Sequence, residues 1–100
     1  MIEVTDDGAL RVLSIDRTDK ANSLTREMLE ALATAVETAS RDQTVKALVL
    51  TGRGKVFSAG ADLEAARAGL ATDPVWERLS GAIATSPCLT IAALNGTAAG

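Results

Sequence analysis

The sequence predicts an α/β fold in which a largely parallel sheet carries amphipathic helices. Two short and nearly continuous apolar runs, 45–51 and 88–94, have the length and composition of strands covered on both faces, which is typical of parallel sheets. The second run ends at the turn signal Asn95-Gly96. Helical spacing of apolar residues in the other long segments predicts amphipathic helices. With 100 residues, the chain has room for one small domain.

A β-hairpin is predicted at the start of the chain, because the strand-like segments 2–5 and 10–16 flank an Asp-Asp-Gly turn signal at residues 6–8. The next element is a helix that Thr25 is placed to cap. Its apolar residues recur at helical spacing, so it is the most clearly marked element of the sequence. The residues on this apolar face are Met28, Leu29, Leu32, Val36 and Ala39.

Two helices are predicted between the apolar runs. Residues 62–69 form a short one, and Asp73 followed by Pro74 starts a longer one, since proline suits the first helical position. The longer helix ends before Pro87, which cannot continue it. Its apolar face contains Val75, Trp76, Leu79, Ala82 and Ile83. The predicted order is hairpin, helix, strand, two helices, strand.

The composition predicts a core of small volume. Hydrophobic residues make up 47% of the chain, but 19 residues are alanine and the only aromatic ones are Phe57 and Trp76. Alanine buries little area, and small domains bury a low fraction of their surface, so we expect marginal stability without a partner surface. The net charge of −3 and the absence of basic runs disfavour nucleic acid as a partner.

Residue types that are missing or rare narrow the chemistry. The chain has no histidine, which excludes an imidazole base, a serine–histidine pair and the common zinc sites. Its one cysteine, Cys88, falls in an apolar run and is predicted to be a core residue. No metal or redox cofactor is implied. No apolar stretch approaches the roughly 20 residues of a membrane span, and no leader pattern is present, so we expect a soluble cytoplasmic protein.

Glycines at 52 and 54 raise the question of phosphate binding. A dinucleotide fingerprint would require glycine in place of Phe57, and a phosphate loop would require serine or threonine in place of Val56. Both patterns therefore fail. We interpret Gly52 and Gly54 as a flexible turn from strand to loop.

Residues 55–63 follow the first apolar run and precede a predicted helix. Ala59, Gly60 and Ala61 carry almost no side chain, so a ligand carbonyl can approach the main chain there. The first N–H groups of a helix also lack intrahelical acceptors. Amides held in this way stabilise a developing negative charge. The segment is thus a candidate oxyanion site.

Three segments resemble the enoyl-CoA hydratase/isomerase (crotonase) family over essentially the whole chain. Residues 57–63, Phe-Ser-Ala-Gly-Ala-Asp-Leu, resemble its signature loop. Residues 16–24 resemble its N-terminal coenzyme A loop, although Thr18 stands where the family usually has proline. Residues 87–100 resemble the strand that leads into its second, glycine-rich loop. The resemblance implies a crotonase-like ββα spiral of which residues 1–100 are the N-terminal part, ending within the second oxyanion loop.

The resemblance also implies roles for individual residues in the signature loop. The backbone N–H of Ala61 would be the first oxyanion donor and therefore the catalytic group. Ala59 would provide clearance for the substrate. Asp62 and Leu63 would continue the wall beside the thioester and the adenine.

The N-terminal loop is implied to contact coenzyme A through Lys20 and Ala21. Arg17 and Lys20 are both candidates for its phosphates, because this loop is basic within an acidic chain. Either side chain could equally be a solvated surface charge. Lys20 is the preferred candidate.

The implied activity is conversion of an acyl-CoA thioester of fatty acid metabolism, with hydration of a 2-enoyl-CoA as the default reaction. Backbone donors would stabilise the thioester enolate, coenzyme A would be part of the substrate rather than a cofactor, and the protein would be a homo-oligomer. Glu64 and Glu77 are the nearest acidic residues, but both fit polar helix faces and neither is proposed as a catalyst.

The alternative is a truncated, noncatalytic remnant or a fragment without activity of its own. The family's second oxyanion glycine and its proton-transfer carboxylates would follow residue 100. We therefore expect the 100-residue chain alone to be inactive.

Overall fold

A computed structural model describes residues 1–98, without the side chain of Thr97. It contains two sheets and three α-helices within that range. The strands are β1 (Ile2–Asp7), β2 (Leu10–Ile15), β3 (Ala47–Gly52), β4 (Val56–Ser58), β5 (Leu89–Ala92) and β6 (Thr97–Ala98). The helices are α1 (Arg26–Ser40), α2 (Leu63–Arg67) and α3 (Val75–Thr85). Short 3₁₀ turns occupy Thr18–Lys20 and Leu70–Thr72.

The main sheet has the order β1-β2-β3-β5, and β4 pairs with β6 in a second sheet. β1 and β2 form the predicted antiparallel hairpin, whereas β2, β3 and β5 run parallel, as do β4 and β6. The hairpin turn is tighter than predicted, because Asp6 and Asp7 belong to β1. Asp6 lies opposite Arg11 and accepts a 2.8 Å hydrogen bond from its Nε, so a cross-strand ion pair supports the end of β1, which reaches Asp7.

Helix α1 confirms the strongest sequence pattern. The Thr25 hydroxyl oxygen accepts a hydrogen bond from the backbone N–H of Met28 at 3.2 Å and caps the helix. The five predicted apolar residues of α1 are all buried. Leu32, Val36 and Ala39 pack with the sheet and with α3 in a core that also contains Leu13, Val45 and Leu48. Leu29 packs in a second cluster with Leu70 and Val75.

The two later helices are shorter than predicted. Helix α2 ends at Arg67, and Gly69 then adopts a φ of +100°, which ends the helical path. Helix α3 begins at Val75, and the Asp73 side chain accepts a 2.8 Å hydrogen bond from the Val75 backbone N–H. Each of the three described α-helices is too short to cross a bilayer.

The prediction that both apolar runs are covered on both faces was wrong. In β3 only Leu48 is fully buried, and the remaining residues are half-exposed. In β5 all four residues are exposed, including Leu89 at 65% and Ile91 at 42%. The reason is topological, because β5 lies at the edge of the sheet and nothing in the described part of the chain covers it.

Candidate functional site

Two loops that are distant in sequence are joined by backbone hydrogen bonds beside the carboxyl end of β3. The N–H of Ala59 donates to the carbonyl of Ala21 at 3.0 Å. The N–H of Leu24 donates to the carbonyl of Gly60 at 2.7 Å, and the N–H of Asp62 donates to the carbonyl of Leu24 at 2.8 Å. We call residues 21–24 and 59–62 the loop ladder. It fixes the path of the predicted oxyanion segment.

The amide of Ala61 is the exception within this ladder. Because a trans peptide unit places its C=O and N–H on opposite sides, the Gly60 carbonyl that points at Leu24 turns the Ala61 N–H away from Leu24. No hydrogen-bond acceptor for this N–H is found among the described atoms. Ala61 also lines an open cavity. Hydrogen bonds of Gly60 and Asp62 therefore fix the position of the Ala61 N–H, which itself remains available as a donor.

This cavity has a volume of about 520 Å³ and brings most of the predicted site together. Four of its lining residues, Ala59, Ala61, Asp62 and Leu63, come from the signature loop, and Lys20 comes from the N-terminal loop. The complete lining set is Arg17, Lys20, Ser23, Ala59, Ala61, Asp62, Leu63 and Glu64.

Ala21 is the one predicted site residue that does not line the 520 Å³ cavity. It lines a separate cavity of about 320 Å³ with Gly54, Lys55 and Val56 among its neighbours. Its φ of +51° places it in the left-handed region, and its carbonyl is used in the loop ladder. In this structure Ala21 shapes the loop behind the site.

Both carboxylate oxygens of Asp62 are engaged. Oδ1 accepts a hydrogen bond from the backbone N–H of Ala65 at 3.0 Å and caps α2, and Oδ2 accepts one from Nη1 of Arg17 at 2.8 Å. The hydrogen bond from Ala65, and then the one from Arg17, lower the pKa of Asp62 below its ordinary value. Asp62 is thus an ionised acceptor that is already bonded, a poor arrangement for a proton-transfer base.

The two basic residues of the N-terminal loop have different surroundings. Nη1 of Arg17 donates to Asp62 and also to the carbonyl oxygen and hydroxyl of Ser23, at 3.2 Å and 3.1 Å. The side chain of Arg17 is only 18% exposed. Lys20, by contrast, is exposed, and no carboxylate lies within ion-pair distance of it among the described residues. Of the two phosphate candidates, Lys20 is the one with an available charge.

Asn22 is a structural residue of the site that no sequence pattern indicated. Its side chain is buried, and its Nδ2 donates to the carbonyls of Arg53 at 2.9 Å and Val56 at 2.7 Å. Its Oδ1 accepts from the backbone N–H of Arg17 at 2.8 Å. The only available signal was its residue type, since asparagine tolerates the left-handed φ of +55° found here.

Ser58 lies within the signature segment and has a structural role that the sequence did not indicate. Its buried hydroxyl donates to the carbonyl of Asn22 at 2.9 Å and accepts from the N–H of Gly60 at 3.0 Å. This hydroxyl therefore connects the two loops two residues before Gly60, the first residue of the Gly60–Ala61 peptide unit. It also satisfies an amide that would otherwise be buried without a partner.

The prediction of a turn is confirmed for Gly54, whereas the prediction that Gly52 is a flexible turn residue was wrong. Gly54 has a φ of +77° and forms the turn after β3. A Cβ atom on Gly52 would lie 2.6 Å from the Phe57 carbonyl oxygen and 3.0 Å from Nδ2 of Asn22. Close packing of the loops, rather than flexibility, therefore requires glycine at position 52.

The predicted turn Asn95-Gly96 packs against the β3–β4 connection. Nδ2 of Asn95 donates to the carbonyls of Gly54 at 2.8 Å and Val56 at 3.2 Å. A Cβ atom on Gly96 would lie 1.9 Å from the Lys55 carbonyl oxygen, so only glycine fits. The end of the predicted second oxyanion loop, at residues 99–100, lies outside the described residues.

Comparisons with known proteins identify relatives of this chain by sequence and by fold. Residues 5–100 match the model of the enoyl-CoA hydratase/isomerase family. A probable enoyl-CoA hydratase of Mycobacterium tuberculosis is 42% identical over 100 residues, which cover 94% of this chain and 39% of that protein. The 1,2-epoxyphenylacetyl-CoA isomerase of Escherichia coli is 34% identical over 97 residues, covering 88% of this chain and 37% of that protein.

A solved structure gives the same result. The crystal structure of an enoyl-CoA hydratase/isomerase from Mycobacterium paratuberculosis superposes with a TM-score of 0.84 at 31% identity, over 95% of this chain and 41% of that one. The chain belongs to the enoyl-CoA hydratase/isomerase family. It spans about two fifths of the length of the relatives it matches.

Proposed function

We propose that this chain supplies part of an oxyanion site for acyl-CoA thioesters, with the Ala61 N–H as a hydrogen-bond donor to the thioester oxygen. The observation that supports this role is the orientation of that amide, which is turned away from Leu24 and lines an open cavity. The small side chains of Ala59 and Ala61 leave the main chain accessible to a carbonyl group. Hydration of a 2-enoyl-CoA is the default reaction, as the names of several relatives suggest.

A fixed amide at this position would act mainly on the transition state. Negative charge develops on the thioester oxygen as the enolate forms, and a donor that is already oriented needs no reorganisation at that moment. Loss of one such donor in other enzymes costs about 3 kcal/mol of transition-state stabilisation.

The described residues do not offer a well-placed proton-transfer group for this reaction. Asp62 is bonded through both carboxylate oxygens, and Glu64 is exposed at the rim of the cavity. We therefore propose that the carboxylate that moves protons belongs to a part of the fold beyond these residues. A noncatalytic fragment is the second candidate function, and the short coverage of the relatives favours it for the isolated chain.

Coenzyme A would be held partly by the N-terminal loop. Lys20 lines the cavity with an exposed ammonium group that can reach a phosphate, while Ala21 would act through the shape of its loop. A cytoplasmic homo-oligomer of fatty acid metabolism, without a metal or redox cofactor, completes the proposal.

Replacing Ala61 tests this function directly. Proline at position 61 removes the N–H, whereas the matched control Ala61→Gly retains it. In the full-length protein we expect Ala61→Pro to lower kcat for crotonyl-CoA hydration by about 10²-fold to 10³-fold. Ala61→Gly should retain most of the activity. Unchanged turnover in Ala61→Pro would remove Ala61 from the site.

The isolated chain provides the complementary test. Purified residues 1–100 should not hydrate crotonyl-CoA, because one donor without a proton-transfer group cannot complete the reaction. Enzyme-like hydration by this chain would contradict the second candidate function and the proposed location of the carboxylate.

A further inference from the structure

Among the described residues, the ion pair between Arg17 and Asp62 is the only one in which neither side chain is more than a third exposed. Both side chains are 18% exposed, whereas Glu37 and Arg78, which join α1 to α3, are 36% and 41% exposed. Partial burial reduces the solvent screening that makes most surface pairs weak. Removal of Arg17 or Asp62 should therefore destabilise the local structure more than removal of a partner from an exposed pair.

This pair joins the two segments of the loop ladder through side-chain contacts. The Arg17 guanidinium contacts Ser23 through its carbonyl and hydroxyl oxygens, and Asp62 through its carboxylate. Ser23 immediately precedes Leu24, whose N–H and C=O bond the residues on either side of Ala61. One planar side chain thus fixes both segments that orient the Gly60–Ala61 peptide unit.

We propose that Arg17 and Asp62 form a positioning pair that holds the Ala61 amide toward the cavity, and that Arg17 is not a ligand of the coenzyme A phosphates. This inference rests on the proposed function for its effect on catalysis. Its effect on the loop ladder follows from the contacts alone, so the two can be tested separately.

The first measurement is amide hydrogen exchange in the full-length protein without substrate. In Arg17→Met the amides of Leu24 and Asp62, which form the ladder, should exchange at least about tenfold faster than in wild type. The matched control is Arg78→Met, because Arg78 bonds the carboxylate of Glu37 and the hydroxyl of Thr34. This control should leave the ladder amides unchanged. Equal protection in both variants would overturn the positioning role.

The second measurement separates turnover from coenzyme A binding. Arg17→Met should lower kcat for crotonyl-CoA by about tenfold or more, while Kd for free coenzyme A stays within about twofold, since free coenzyme A has no thioester carbonyl. A rise in Kd of about tenfold with unchanged kcat would instead identify Arg17 as a phosphate ligand and overturn the inference.

Asp62→Asn serves as a second variant in case Arg17→Met does not fold. Asparagine can still accept the capping hydrogen bond from Ala65, but it cannot neutralise Arg17. It should reproduce the faster exchange and the lower kcat. Wild-type values of both quantities would overturn the inference. If wild type itself converts no thioester, the proposed function fails, and the exchange measurements still decide the positioning role.

Discussion

The neighbouring strands β3 and β5 come from apolar runs that look alike in the sequence but have different surroundings. They pair in parallel, with Leu48 opposite Thr90 and Val49 opposite Ile91. Leu48 is 1% exposed, whereas Ile91 is 42% exposed. An apolar run therefore predicts a strand well, but it does not show how much of that strand the same chain covers.

The loop ladder differs from β5 because this chain itself supplies the surroundings of the ladder. Its contacts come from within the described residues: the buried side chains of Asn22 and Ser58 have their hydrogen-bond partners there. The part of the site around Ala61 is thus built by this chain, whereas the outer face of β5 is left open. Predictions about stability and binding should separate these regions.

The largest expected effect contrasts the two strands. In the isolated chain, Leu48→Ala should lower the free energy of unfolding by about 2–5 kcal/mol, because it opens a cavity in the core. Ile91→Ala should cost less than about 1 kcal/mol, because its side chain is exposed. Urea unfolding of the two variants measures both quantities. Equal losses would show that β5 is covered in solution, for instance by another copy of the chain.

A smaller effect is expected at Ser58. Replacement by alanine leaves the buried N–H of Gly60 without its acceptor, so stability should fall by about 1–3 kcal/mol. Ser80 is an exposed serine on α3 and supplies the control, for which Ser80→Ala should change stability by less than about 0.5 kcal/mol. Matching unfolding midpoints for the two variants would show that the Ser58 hydroxyl does not support the ladder.

Acid should weaken the site through Asp62. The pKa of Asp62 in the folded chain lies below its ordinary value of 3.8, so its stabilisation is complete above pH 3.8 and is lost as the pH falls through the lowered folded value. The difference in the free energy of unfolding between wild type and Asp62→Asn should therefore decrease as the pH falls below about 4. Unfolding measured across this range tests the sign. A difference that stays constant would contradict the ionised pair with Arg17.

The smallest expected effect is at Lys20. Lys20→Glu should weaken binding of coenzyme A thioesters by several-fold at low salt, and salt should reduce the difference because the charge is exposed. Lys46 lies at the amino end of β3, whereas the site lies beside the carboxyl end. Lys46→Glu therefore serves as a control with the same change in charge. Calorimetry in low and high salt measures both variants. Equal Kd values for Lys20→Glu and Lys46→Glu would leave Lys20 as a surface charge.

The sequence predicted the elements of the fold better than their surroundings. Helix α1 was predictable because its cap and apolar spacing are local, and Thr25 lies only three positions from Met28. The buried roles of Asn22 and Arg17 depend on partners 34 and 45 residues away, Val56 and Asp62. No local pattern encodes such contacts. The family resemblance pointed to Ala61, but only the peptide geometry shows that its N–H is turned away from Leu24.

The Ala61 amide proton can be observed directly by NMR in the labelled full-length protein. On titration with acetoacetyl-CoA, whose thioester carbonyl can accept a hydrogen bond, we expect a downfield shift of the Ala61 amide proton. Free coenzyme A should produce no such shift, because it lacks the thioester oxygen. An Ala61 resonance that does not respond to the saturating thioester, while other cavity residues do, would show that the Ala61 N–H is not a donor to the thioester oxygen.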